Sequence, residues 1–209
     1  MNPVDALALI LAWGLYGAVH SMLAADRVKD AILGRWPRLL RYYRLAYNFF
    51  AVLLLLPPVW LTARIPGEAL WHWPGWIAWP VLILALLGFA LTLRGYDGLE
   101  FIGLAAWRGE FAAGERLALS PLHRHVRHPW YALGLAVLWT RDLNAAWLLT
   151  ALVITLYVRI GIHFEERRLT RLHGERYRAY QRRVPALIPW PGRSLGVEEA
   201  AAWTSRSGG

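Results

Sequence analysis

Three short stretches in the second half of the chain bring together side chains that can bind a charged small molecule. The first, residues 122–131, contains three histidines and two arginines close to a proline. The second holds the adjacent carboxylates Glu165 and Glu166, and the third, residues 174–185, alternates tyrosines with arginines. Carboxylates accept hydrogen bonds from amines and hydroxyls, arginine and histidine hold carboxylates, and aromatic rings face cations. Taken together, the three stretches predict a binding site for a zwitterionic ligand.

Simpler roles are open for each stretch taken alone. Arginines at a membrane boundary commonly anchor headgroups, and a Glu-Glu-Arg-Arg run on an interfacial helix commonly forms solvated pairs. The histidines His123, His125 and His128 also raise the question of a metal. The chain has no cysteine, and its histidines do not follow regular metal-ligand spacings, so we predict no metal site.

A ligand with several kinds of polar group explains all three stretches. S-adenosylmethionine has an amino group, a carboxylate, a ribose diol, an adenine and a sulfonium. Glu165 and Glu166 would accept from the amino group or the diol, and an arginine or histidine would hold the carboxylate. Tyr131 or Trp130 would stack on the adenine or face the sulfonium.

The elements that must position these residues are membrane helices. A bilayer core needs roughly 20 apolar helical residues. Residues 4–24 carry one charge, 45–63 and 70–93 carry none, and 145–164 are interrupted only by Arg159 and His163. The apolar segment at 130–140, the fourth in chain order, is too short to cross the bilayer, so we expect it to form a helical hairpin with the segment at 145–164. The alternative is a longer helix that reaches the outer surface.

The predicted fold is an all-α, polytopic membrane bundle with about five membrane-entering helices and a C-terminal interfacial helix from residue 164 to 183. We expect a single integral membrane domain over 1–209. Within it, 1–93 would hold three N-terminal helices, 94–196 the ligand-binding half, and 197–209 a flexible tail. The sequence does not predict the oligomeric state.

Basic residues alternate between the predicted loops and predict the orientation. Successive loops carry 6, 1, 5, 1 and 10 lysines and arginines. Cytoplasmic loops are enriched in these residues, so we predict an outside N-terminus, with the C-terminus and the three stretches on the cytoplasmic side. The net charge of +9 then marks a face in contact with membrane lipids, and we predict no nucleic-acid partner.

The motifs resemble a known enzyme superfamily. Arg-His-Pro-x-Tyr at 127–131, Glu-Glu-x-x-Leu at 165–169 and Gly-x-x-Tyr-x-x-Tyr-x-x-Arg-Val-Pro-x-x-x-Pro at 174–189 resemble the C-terminal half of the isoprenylcysteine carboxyl methyltransferase and phospholipid methyltransferase superfamily. His20-Ser21, the Arg-Tyr-Tyr-Arg-Leu-x-Tyr-Asn run at 41–48 and Ile-Gly-Ile-His-Phe-Glu-Glu at 160–166 look closer to its NnrU-type and methanethiol S-methyltransferase branch.

The resemblance implies a membrane methyltransferase with S-adenosylmethionine bound between the C-terminal elements and the methyl acceptor entering from the bilayer. It implies that residues 182–189 close over the cofactor. Carried over by position, the cofactor-binding residues are Leu122, His125, His128, Tyr131, Gly134, Glu165, Glu166 and Tyr177. The catalytic candidates are His128, Arg127 and His20.

The acceptor and the base are open at this level. A small thiol is the first expectation, and a prenylcysteine carboxylate, a lipid amine or a quinone-like hydroxyl are alternatives. A neutral thiol or an amine needs a proton acceptor, for which His128 or His20 is predicted, although His20 also suits a packing role. Two other functions fit the sequence less well: an NADPH-dependent membrane reductase on the same half-fold, and a non-enzymatic transporter or sensor.

Overall fold

A computed structural model describes residues 1–93, 98–109 and 119–200 of the chain. The described residues form helices and connecting turns, which confirms the predicted all-α class. The helices are α1 (Pro3–Ala24), α2 (Asp26–Arg35), α3 (Leu40–Arg64), α4 (Gly75–Leu93), α5 (Gly98–Ile102), α6 (Leu104–Trp107), α7 (Pro129–Trp139) and α8 (Ala145–Arg183).

Four of the helices, α1, α3, α4 and α8, are long and apolar enough to cross a membrane. They match the four long apolar runs in the sequence. Large apolar side chains on them face outward, for example Trp76 at 78% exposure, as expected for surfaces covered by lipid rather than water. The chain is therefore a multi-pass membrane protein. Helix α7 has 11 residues, the short length predicted for the fourth segment.

Three helix boundaries differ from the sequence prediction. The first connection, predicted as a loop, contains the ten-residue helix α2. Helix α4 begins at Gly75 rather than near residue 70, because Pro74 disfavours helical backbone at the residue before it. The predicted C-terminal helix does not begin at residue 164, because helical backbone continues from 145 to 173; a further helical piece follows the non-helical Gly174, where φ is +56°, and ends at Arg183.

The predicted C-terminal tail, residues 197–209, is described only as far as Ala200. Residues 197–200 form a helical turn, and Ala200 is buried against Tyr177 and Tyr180. The rest of the predicted tail, residues 201–209, lies outside the described residues.

The chain divides into two compact units, each built from separated segments. Within the described residues, the first unit comprises 1–72, 98–109 and 142–154. The second comprises 73–93, 119–141 and 155–200. All three stretches singled out in the sequence belong to the second unit.

A buried hydrogen-bond network joins three helices of the first unit. The Trp13 indole N–H lies 3.3 Å from the Thr62 hydroxyl and 3.2 Å from the Thr150 hydroxyl. Thr62 donates to the Pro58 carbonyl, so Thr150 must donate across the 2.9 Å between the two hydroxyls. Polar side chains of this kind hold membrane helices together, because hydrocarbon offers them no other partner.

In the second unit, α4 packs closely on α7 beside the histidine-rich stretch. A Cβ atom at Gly88 of α4 would lie 2.9 Å from the Leu133 methyl groups and 3.4 Å from Leu122. The glycine lets the two backbones approach, as small residues do in membrane helix pairs. This contact fixes the start of α7, and with it the residues that precede Pro129.

Candidate functional site

The histidine-rich stretch is held by backbone hydrogen bonds to the chain that follows α8. The backbone N–H groups of Arg127 and His128 donate to the carbonyls of Pro185 and Ala186, at 2.8 and 3.0 Å. Arg124 and Leu195 exchange a second set of bonds, with the Leu195 N–H and the Arg124 side chain both donating at 3.0 Å. The segment after α8 thus folds back onto residues 124–128.

Arg127 and Glu166 form the central ion pair of this region. Nε and Nη2 of Arg127 each lie 2.7 Å from Oε1 of Glu166. The remaining Arg127 nitrogen donates to the carbonyls of Gln181 and Val184, and the Gln181 amide donates to Oε2 of Glu166 at 3.0 Å. Both side chains are largely buried, at 10% and 17% exposure. All the hydrogen-bonding groups of this pair face protein partners, which makes it a structural tether.

His128 lies between the two glutamates at the start of α7. Its Nε2 is 3.0 Å from Oε1 of Glu166, and its Nδ1 is 3.5 Å from Oε2 of Glu165. Burial alone would lower the pKa of His128, but the carboxylates of Glu165 and Glu166 raise it above its ordinary value of 6.5. The imidazole thus faces an anion on both sides, at hydrogen-bond distance from Glu166 and at ion-pair distance from Glu165. These contacts suit a positioning role, and the role of His128 as a base stays a prediction.

Glu165 differs from its neighbour in what it contacts. Its side chain is 42% exposed, against 17% for Glu166. Oε2 of Glu165 is buried and accepts no hydrogen bond from any residue that the structure describes. The 3.5 Å to His128 is an ion-pair distance rather than a short hydrogen bond. Of the two carboxylates, Glu165 has more acceptor capacity left for a ligand.

His123 supports the turn that carries these residues. Its Nδ1 accepts from the Ser120 backbone N–H at 3.1 Å and lies 2.8 Å from the Ser120 hydroxyl, closing a capping box. Burial, together with the nearby positive charge of His128, lowers the pKa of His123 to about 4. His123 is therefore neutral at pH 7, with its remaining proton on Nε2.

The other predicted cofactor-binding residues have varied surroundings. The Tyr131 ring stacks on His128, with centroids 5.7 Å apart and planes 25° apart, and stays partly exposed. His125 and Gly134 are exposed, and Leu122 is half-buried. Tyr177 is fully buried beside Tyr180 and Val184, in the hydrophobic cluster beneath the returning C-terminal segment.

His20, the third catalytic candidate, lies in the first unit. Its Nε2 is 2.8 Å from the Tyr47 hydroxyl, and its ring contacts Tyr16, with centroids 5.5 Å apart. The structure thus gives His20 a hydrogen-bonding tyrosine and an aromatic neighbour, an arrangement that suits packing and proton exchange equally.

Comparison with known proteins identifies the family. The chain is 31% identical over 193 residues to methanethiol S-methyltransferase 2 of Bradyrhizobium diazoefficiens, covering 88% of this chain and 73% of that protein. The methanethiol S-methyltransferase of a Pseudomonas species is 30% identical, with coverage of 93% and 77%. That of Mycobacterium tuberculosis is 30% identical, with coverage of 86% and 76%.

The chain belongs to the methanethiol S-methyltransferase family. No protein-family model matches it, and no solved structure matches it. The membership confirms three predictions: the family resemblance of the motifs, the methyltransferase activity, and S-adenosylmethionine as the methyl donor. It favours methyl transfer over the reductase and transporter alternatives.

Sequence reasoning missed Gln181 as a member of this methyltransferase's central cluster. Gln181 follows Glu166 on the same helical element, but only the non-helical backbone at Gly174 turns its amide back toward the carboxylate. The one available signal was the glycine itself, because a positive φ inside an apparent helix redirects the chain after it.

The two glutamates should contribute unequally to stability. Replacing Glu166 with Gln leaves the buried Arg127 and His128 without their shared anion, so we expect a loss of about 3 kcal/mol. Replacing Glu165 with Gln should cost about 1 kcal/mol or less, because its side chain is partly exposed. Unfolding of both variants in detergent, followed by tryptophan fluorescence, measures the difference. Equal losses would contradict the assignment of Glu166 as the tether.

Acid should destabilise the protein through His123. The folded pKa of about 4 lies below the unfolded value of 6.5, so the stability that neutral His123 contributes is complete above pH 6.5 and falls as the pH decreases. The loss should approach about 3 kcal/mol by pH 4. His123→Gln keeps a side chain able to close the capping box but cannot titrate. Melting temperatures measured from pH 8 to 4 should therefore fall less steeply for this variant than for the unaltered chain. Parallel curves for the two proteins would exclude His123 as the source of the acid sensitivity.

Proposed function

We propose that this chain is a membrane methyltransferase that transfers the methyl group of S-adenosylmethionine to a small thiol, with methanethiol as the first candidate. Its relatives are named for that thiol, and a chain whose described residues lie mostly in helices suits an acceptor that dissolves in the bilayer. A prenylcysteine carboxylate and a lipid amine are the alternative acceptors.

The observation that carries the proposal is the buried, unsatisfied Oε2 of Glu165. An acceptor atom without a hydrogen bond in the described structure is costly, and an amino or hydroxyl group of a ligand would satisfy it. S-adenosylmethionine has donors of both kinds. The Tyr131 ring, stacked on His128 and still partly exposed, offers a surface for a purine or a sulfonium. The residues present therefore fit the cofactor.

The roles of the chain's own residues follow from these contacts. S-adenosylmethionine, when bound, supplies an electrophilic methyl group on a positively charged sulfur. Glu165 accepts a hydrogen bond from the ligand, and His128 holds Glu165 in position. Arg127 and Glu166 fix His128 and keep the returning C-terminal segment in place. Positioning of this kind is the main source of acceleration for an in-line methyl transfer.

The new carbon–sulfur bond replaces the bond between the methyl group and the donor sulfur, and the thiol must also lose its proton, which needs an acceptor. Neither His123 nor His128 offers a free lone pair: Nδ1 of the first accepts from Ser120, and both nitrogens of the second face carboxylates. We therefore keep His20, hydrogen-bonded to Tyr47, as the proposed base.

We also propose that the N-terminus lies outside and that the C-terminus and the cofactor site are cytoplasmic. The alternation of basic residues between loops supports this orientation.

Binding of S-adenosylhomocysteine tests the cofactor site. In calorimetric titrations of detergent-purified protein, we expect micromolar binding by the unaltered chain. Glu165→Gln should weaken it at least about tenfold, the effect of losing one charge-assisted hydrogen bond. NADPH titrated in parallel should not bind.

The matched control is Glu175→Gln, which alters an exposed glutamate of α8 whose ion pairs, among the described residues, are with arginines of its own helix. It should bind S-adenosylhomocysteine normally. Undiminished binding by a folded Glu165→Gln variant would exclude Glu165, and binding of NADPH alone would exclude a methyltransferase.

The proposed base is tested by the pH dependence of its variant. His20→Gln should lower kcat most at pH 6 to 7, where the thiol is protonated, and the deficit should shrink as the pH rises and thiolate forms without a base. Tyr47→Phe should show a smaller deficit with the same trend. A deficit that is constant from pH 6 to 10 would assign His20 to packing.

A further inference from the structure

A cleft on α8 lies beside the tether but does not include the proposed cofactor ligands. Its volume is about 430 Å³, within the size range of small-molecule sites. Glu165, His128 and Tyr131 are not among its lining residues. Of the residues predicted to bind the cofactor, Glu166 alone lines the cleft, and its carboxylate already accepts hydrogen bonds from Arg127, His128 and Gln181. The lining residues are His163, Glu166, Arg167, Thr170, Arg171 and Gln181.

The cleft is lined by cations that no carboxylate of the described residues neutralises. Arg167 and Arg171 have no hydrogen bond or ion pair with any residue in the described parts of the chain, and both are exposed. With His163 they follow a spacing of four residues, which places all three on one face of the helix. Arg159 continues this row toward the apolar part of α8. Thr170 adds a hydroxyl donor to this positively charged cleft.

An exposed apolar stripe leads along the same face of α8 into the cleft. Leu156, Ile160 and Phe164 are 62%, 48% and 63% exposed. Each lies seven residues before one of the three basic residues, and seven residues are close to two helical turns. Apolar and cationic surfaces are thus in line on a helix long enough to span the bilayer and extend beyond it.

We propose that the cleft binds the headgroup of an anionic phospholipid whose acyl chain lies along Leu156, Ile160 and Phe164. Arg167 and Arg171 select for negative charge, since basic pockets at the membrane surface attract anionic headgroups. The stripe selects for an amphiphile over a free phosphate, because only a lipid covers both surfaces at once.

The lipid would contact the residues that hold the cofactor site in shape. Gln181 lines the cleft, donates to Glu166 and accepts from Arg127 through its carbonyl. A headgroup that orders Gln181 stabilises the tether, so bound lipid should raise the thermal stability of the protein. Cofactor binding does not require the lipid, because Glu165 lies outside the cleft.

Lipid binding to the full chain can be measured by native mass spectrometry from neutral detergent, with melting temperatures measured in the same micelles. Phosphatidylglycerol should bind more tightly than phosphatidylcholine and raise the melting temperature, and inorganic phosphate should do neither. Arg167→Gln/Arg171→Gln should weaken phosphatidylglycerol binding about 25-fold, or about fivefold for each arginine. Binding of S-adenosylhomocysteine should persist.

The control is Arg27→Gln/Lys29→Gln, which removes the same charge from exposed residues of α2 on the face predicted to be cytoplasmic. It should keep the preference for phosphatidylglycerol. An equal loss of phosphatidylglycerol binding in this control would show that the lipid responds to general surface charge rather than to the cleft. Stabilisation by phosphate alone would make the cleft a simple anion site, and loss of S-adenosylhomocysteine binding in the Arg167/Arg171 variant would make it part of the cofactor site. Each of these results would overturn the proposal.

Discussion

The ion pair between Arg127 and Glu166 is the interaction on which the second unit depends. It joins the stretch before α7, the end of the apolar part of α8 and the chain that returns after Gly174. A buried pair of charges is stable only if every donor and acceptor finds a partner, and this one is completed by His128, Gln181 and backbone carbonyls. Removing any of these partners leaves a hydrogen-bonding group of the buried pair without its partner.

This constraint separates the roles of two adjacent glutamates. Glu166 accepts hydrogen bonds from Arg127, His128 and Gln181, whereas Glu165 keeps a buried oxygen free of hydrogen bonds in the described structure. His128 connects them, since its two nitrogens face the two carboxylates. The same motif thus provides both a structural anchor and a binding group. The cleft proposed to bind lipid is lined by Glu166 and not by Glu165. A lipid bound there would therefore affect the stability of the protein more than the methyl transfer.

Much of the architecture could be predicted from the sequence, because apolar runs of bilayer length leave few alternatives. The short length of α7 was predicted for the same reason, because length patterns are local. The Glu165–Glu166 pair was singled out from its charge and from the family resemblance, and its role in binding stays a prediction. The continuation of the α8 helix past residue 164 was not predicted, since Phe164 to His173 carries a charge density typical of an interfacial segment. Its helix continues because nothing before Gly174 breaks the backbone hydrogen bonds. Which glutamate pairs with Arg127 and which keeps a free oxygen depends on the face of α8 that meets Arg127, and no sequence pattern predicts that face.

An experimental structure with S-adenosylhomocysteine bound tests the central claim most directly. We predict that a donor group of the ligand lies within hydrogen-bond distance of Glu165, with the Tyr131 ring against its adenine or sulfur and the Arg127–Glu166 pair unchanged. A ligand seated instead between Arg167 and Arg171, with Glu165 not contacted, would contradict both the assignment of the cofactor site and the separation of the lipid cleft from it.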